Sequence, residues 1–148
     1  MKENQNVENV NMLDNMRSSG ANSRLLSTKV KDVPYSELAS YYLKETGISL
    51  DAYFKSEGQA ALTNAALKAL GKVVKPKVMG IISLVIDIAG VITAINDAME
   101  AVELGKAVYN VWKAKAKALR VTTYNYEWRS GSGNHYSYYS EVKYSTVW

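Results

Sequence analysis

The apolar run Val78–Ile95 (VMGIISLVIDIAGVITAI) constrains this chain more than any other feature. At eighteen residues it falls just short of the roughly 20 that a helix needs to cross a bilayer, so it either forms a buried core helix or inserts in lipid. A lone acid, Asp87, sits in its middle. Drawn as a helix, the run places Gly80, Ser83, Asp87, Gly90 and Ala94 on one side at spacings of three or four, continued by Ala98 and Ala101. Ile81, Val85, Ile88, Ile92 and Ile95 take the opposite side. A stripe of small residues lets another backbone approach closely, whether in a membrane pair or in a soluble bundle. A carboxylate in lipid is costly, so in the membrane setting Asp87 lines an assembly or is neutralised on insertion. A soluble bundle that hides a hairpin and later releases it joins the two settings.

Around the run, the chain divides by composition. Residues 1–33 are rich in Asn, Ser and Lys and are expected to form a polar, disordered tail, because they bury too little apolar surface to offset ordering. Val7, Val10, Leu13 and Met16 stand three apart and suit a short amphipathic helix within it. Residues 34–148 are expected to form a single domain, helical over 34–119. Pro34 opens a short helix through Leu38, Tyr41 and Tyr42 that ends near Gly47, and Ser49 caps the next turn. An Ala- and Leu-rich helix is expected over 57–74, ended or kinked by Pro76. One helix from Lys77 to Leu119 would be about 60 Å long, so a break near Asn96-Asp97 or Gly105 is expected.

The last region, 120–148, changes character. Thr, Tyr, Val and Trp alternate on either side of Arg129-Ser130-Gly131-Ser132-Gly133-Asn134, which predicts a β-hairpin. Tyr124, Tyr126 and Trp128 share a face of the first strand, and Tyr136, Tyr138, Val142, Tyr144 and Trp148 share one of the second. Two strands alone are marginal in water, so these aromatics need helices, more strands or a partner to pack on. The fold class expected is α+β: a mostly helical body with a long apolar helix or helical hairpin over about 57–119, and an aromatic-rich β-hairpin over about 120–148.

Chemistry is sparsely signalled. Cysteine is absent and His135 is the lone histidine, so thiol catalysis, thiolate metal sites and a histidine-based zinc site have no ligands. Asp97, Glu100 and Glu103 are spaced by three, which suits a solvated helix face as well as a cation. No phosphate-binding loop, dinucleotide fingerprint, nucleophile elbow or HExxH motif occurs. No catalytic, cofactor or metal residue is therefore expected, and the chain is read as a non-enzyme.

Its formal charge of +4 favours anionic surfaces without indicating nucleic acid. Lys106, Lys113, Lys115, Lys117 and Arg120 cluster toward one helix end, where cations also suit the helix dipole. An apolar, Gly/Ala-striped helix beside a cationic one resembles, in architecture, small bacterial membrane-active toxins and bacteriocins. That resemblance implies an antibacterial, membrane-active protein: the cations reach anionic lipid, Val78–Ile95 inserts, and the stripe self-associates into a homo-oligomer. Secretion or cell-surface placement fits such a role, although the first residues lack the apolar core of a secretory signal. The alternative is a soluble interaction module. In it Tyr124, Tyr126, Trp128, Tyr136, Tyr138 and Trp148 bind another protein or a cell-wall glycan.

Overall fold

A computed structural model describes residues 22–86, 88–129 and 136–148. Its architecture is α+β, with helices on one face of a three-stranded antiparallel sheet of order β1-β2-β3. Strand β1 spans Asn22–Pro34, β2 spans Ala118–Arg129 and β3 spans Tyr136–Val147. Between β1 and β2 lie five α-helices: α1 (Tyr35–Thr46), α2 (Leu50–Glu57), α3 (Asn64–Ile82), α4 (Ala89–Ala98) and α5 (Ala101–Ala114).

The expected hairpin is present, but the central strand has a second neighbour. Residues 22–33, expected in a disordered tail, instead form most of edge strand β1. Their register against β2 runs from Asn22 opposite Arg129 to Pro34 opposite Ala118, with a bulge at Leu26. The segment buries little apart from Val33, and its backbone groups find partners on a strand almost a hundred residues away. Composition carries no trace of that pairing. Residues 1–21 lie outside the described residues.

Local signals set most helix ends. Helix α1 follows Pro34 and stops at Gly47, whose φ of 77° suits a residue without a Cβ and whose N–H closes on the Leu43 carbonyl. Ser49 accepts the Ala52 N–H to start α2. The helix expected from residue 57 begins later. A 3-10 turn occupies Gly58–Leu62, and Thr63 then caps α3 through the Ala66 N–H. Pro76 lies inside α3, which continues to Ile82.

The apolar run is not one helix. It is divided between the end of α3, a 3-10 turn at Ser83–Val85, and α4. Ile86 (φ −137°, ψ 128°) and Ile88 (φ −101°, ψ 115°) are extended, a conformation that β-branched side chains favour. Among the described residues no helix is long and apolar enough to cross a membrane. The next break falls at Met99–Glu100, so Gly105 lies inside α5.

The core sits between the helix layer and one sheet face. Helix α3 buries Leu67, Leu70, Gly71, Val74, Val78 and Ile82, a stripe at helical spacing. It packs against α5, which buries Leu104, Ala107, Val108 and Val111, and against β1, and Val33, Leu119 and Val121 of the sheet belong to the same core. The apolar run supplies Val78, Ile82, Ile86, Val91, Ala94 and Ile95 to this interior. Beneath it, a buried polar ladder crosses the strands: Asn125 Nδ2 donates to Ser27 Oγ at 3.1 Å, and Ser140 Oγ donates to Asn125 Oδ1 at 2.8 Å. Each member satisfies the next, which offsets the cost of burying them.

Candidate functional site

Dividing the run between two helices leaves a short apolar turn in water. Leu84 is 78% exposed, Val85 38% and Ile88 46%. Gly80, Ala89, Gly90 and Thr93 are exposed beside them, and no described residue from Met79 to Ile95 carries a charge. Apolar side chains exposed in this way have few structural uses, because folding gains nothing from side chains left in solvent. Its neighbours in sequence are core residues, so the turn is held out by a packed base rather than trailing from a loose end.

The stripe residues do not act together. Gly80 faces open space, with no atom within 4 Å of where a Cβ would stand. Ser83 donates its hydroxyl to the Gly80 carbonyl at 3.1 Å. Gly90 lies under the ring of Tyr138, where a Cβ would sit 2.7 Å from Cδ2. Ala94 is buried in α4. Asp87 lies outside the described residues, as does His135. The close helix contact expected of the stripe is made elsewhere, by Gly71 and Gly105. A Cβ on Gly71 would collide with the Ala101 backbone, and one on Gly105 with the Leu67 backbone. As α5 advances four residues α3 recedes four, so the two helices cross antiparallel.

The five basic residues divide as well. Arg120 donates to both carboxylate oxygens of Asp32 at 2.8 and 3.1 Å, and this hydrogen bonding holds the Asp32 carboxyl below its ordinary range. Lys106 pairs with Glu103 at 3.6 Å, and the Lys113 ammonium lies 5.8 Å from the centre of the Tyr109 ring. Lys115, in the left-handed conformation after α5, and Lys117 are exposed and make no ion pair among the described residues. Of the acidic series, Asp97 is in α4, Glu100 precedes α5 and Glu103 is inside it. Among the described residues no group of three or more His, Cys, Asp or Glu is placed to hold a metal.

Register separates the aromatics onto opposite faces. Tyr126 is opposite Tyr139, and their rings stack at 4.8 Å and 9° on the side away from the helices, the side that also carries Tyr124 and Trp128. Tyr138 and Tyr144 point to the helix layer, where Tyr138 covers Gly90. Burial, with Glu103 and Glu100 nearby, pushes the Tyr144 phenol well above its usual range. Tyr136 pairs with Arg129 through the backbone, and Trp148 is 72% exposed beyond β3. The six aromatics therefore do not form one platform.

No family model, curated protein or solved structure matches this chain.

Two features escaped the sequence pattern. One is the ring cluster of Tyr42, Tyr53, Phe54, Tyr109 and Trp112, which joins α1, α2 and α5 with centroid distances of 4.9–5.9 Å. Trp112 Nε1 donates to Asp51 at 3.0 Å across it. Its members come from three helices, and only their tertiary placement makes a cluster. The other is the exposed turn, whose signal was the consecutive β-branched and acidic residues Val85-Ile86-Asp87-Ile88 inside an otherwise helical run.

Proposed function

We propose that this protein is a non-enzymatic, membrane-active antibacterial protein whose first contact with lipid is the apolar turn between α3 and α4. The observation that carries this reading is the 78% exposure of Leu84, flanked by the exposed Val85 and Ile88, in a stretch from Met79 to Ile95 whose one ionisable residue is Asp87. Transfer of such side chains into the acyl boundary is favourable at about 25 cal/mol per Å² of buried apolar surface. Lys115, Lys117 and the net positive charge draw the chain toward anionic headgroups by long-range attraction that falls with salt.

Contact begins as insertion of a turn, not as a span. Val78, Ile82, Val91 and Ile95 serve the core, and Gly90 is occupied by Tyr138. Self-association through Gly80, Ser83, Asp87, Gly90 and Ala94 therefore belongs to a second, rearranged state in which α4 has left β3. Such a state needs lipid to replace the contacts that the run makes with the sheet.

The test is flotation with anionic vesicles, together with dye release, between pH 4 and 8. Wild type is expected to float and Leu84→Asp/Ile88→Asp to remain in the dense fraction at unchanged circular dichroism. Failure of the wild type to bind vesicles at every pH removes the proposal. Equal binding by the double variant removes the turn as the contact.

A further inference from the structure

Helix α3 carries four lysines and no acid. Lys77 is offset by Glu37 at 3.3 Å, but Lys68, Lys72 and Lys75 make no ion pair or hydrogen bond among the described residues. Their spacings of four and three gather them on one side of the helix, beside the exposed Ala69, Pro76 and Gly80 and away from the buried stripe of Leu67, Leu70, Gly71, Val74 and Val78. Like charges so spaced repel one another, so the fold gains nothing from gathering them. The same helix ends at the exposed turn. From Lys68 to Leu84 its solvent side passes from cationic, through the uncharged Pro76 and Gly80, to apolar within about 24 Å at 1.5 Å per residue.

We infer that this outer face of α3 is a docking surface for the headgroup layer of an anionic bilayer, with Lys68, Lys72 and Lys75 against lipid phosphates while Leu84 enters the acyl boundary. The inference rests on the reading that the turn is the lipid contact, and charge complementarity selects the lipid. Position separates these lysines from the cations of α5. Gly71 lies against Ala101 and Gly105 against Leu67, so the antiparallel α5 ends at Ala114 about 36 Å from Ile82 along the helix direction. Lys115 and Lys117 follow Ala114, and a tilt that sinks Leu84 lifts that far end from the surface. Lys75 and Lys72 stand only about 13 and 18 Å from Leu84, and their flexible stems let the ammonium groups reach the phosphates while the helix lies obliquely on the surface. Lys115 and Lys117 therefore act before contact, through long-range attraction, and the α3 lysines act in it.

The test compares two variants that each remove three positive charges, Lys68→Gln/Lys72→Gln/Lys75→Gln and Lys113→Gln/Lys115→Gln/Lys117→Gln, in flotation with vesicles of phosphatidylglycerol and phosphatidylcholine in equal parts and with vesicles of phosphatidylcholine alone. Glutamine keeps the helix propensity of lysine, and circular dichroism checks the fold. Wild type is expected to prefer the anionic vesicles, the first variant to lose at least about thirtyfold in affinity for them, and the second less than about threefold. A loss in the first variant no greater than in the second, or equal wild-type binding to both vesicles, overturns the inference and leaves the turn as lipid contact. Wild type that binds neither vesicle removes the turn reading and this inference with it. If wild type then retains a single-stranded DNA 20-mer that the first variant releases, the face belongs to a nucleic acid. Because the chain has no cysteine, a dye on Ala69→Cys or on Lys115→Cys reports position in the intact protein. Headgroup-spin-labelled lipid is expected to quench the first and spare the second. Equal quenching also overturns the inference.

Discussion

Gly71 of α3 meets the backbone of Ala101 at the start of α5 so closely that no side chain fits between them. Four residues along, Gly105 makes the reciprocal approach to Leu67, and the two glycines together set the crossing on which the core is built.

Substitution at this crossing is expected to be severe. Gly71→Ala or Gly105→Ala drives a methyl group into backbone, which cannot rotate away, so each should cost about 1–3 kcal/mol or more. Urea denaturation checks it. Gly80→Ala is the control: its Cβ meets open space within α3, and it should raise stability by about 0.5–1 kcal/mol.

Gly90 and Tyr138 give a separate expectation. Gly90→Leu must push the Tyr138 ring off α4 and loosen the contact between that helix and β3. Thermal unfolding is expected at a lower temperature, with hydrogen exchange rising first in α4 and β3. Tyr138→Ala in the same background should add little further loss, since both changes remove one contact.

The apolar turn predicts the opposite pattern. Leu84 gives the fold little, so Leu84→Asp should leave stability within about 0.5 kcal/mol of wild type while weakening vesicle binding at least tenfold. Flotation and urea unfolding on the same preparation separate the two effects.

Asp32 and Arg120 supply a pH signature. The Asp32 carboxyl is held below its ordinary 3.8, chiefly by the Arg120 hydrogen bonds. A depressed folded-state value stabilises above the unfolded value, and the contribution is lost as pH falls through the folded value. Asp32→Asn is therefore expected to cost a little stability at pH 7 and progressively less as pH is lowered below 3.8, with the neutral-pH loss shrinking in high salt because the pair is exposed. Unfolding midpoints of wild type and variant across pH 2–7 measure it.

Tyr144 carries a buried hydroxyl without a hydrogen-bond partner among the described residues. Removing an unsatisfied polar atom removes a desolvation cost, so Tyr144→Phe should be neutral or stabilising by up to about 1 kcal/mol, seen as an unchanged or raised unfolding midpoint.

Much of the helix punctuation was readable along the chain because caps and breakers act within four residues. Pro34, Gly47 and Ser49 each work through their own backbone and nearest neighbours, whereas the cap at Thr63 was hidden inside a segment whose Ala and Leu content suggested a helix from residue 57. The hairpin was readable for a related reason: alternation around a turn encodes pairing between adjacent segments. The candidate site was less legible. Gly80 to Ala94 align on paper only if the helix is unbroken, and the break at Ser83–Ile88 scatters them.

The sequence by itself determined the α+β composition, the start and stop of the first helix at Pro34 and Gly47, the cap at Ser49, and the presence of a central apolar run, all consequences of local sterics and periodicity. Tertiary structure alone decided that residues 22–34 pair with β2, that Gly71 and Gly105 form the helix seam, and that Tyr126 and Tyr138 face opposite ways. Those outcomes depend on backbone pairing, close approach and strand register between segments far apart in the chain, and such partners leave no periodic mark on either segment alone.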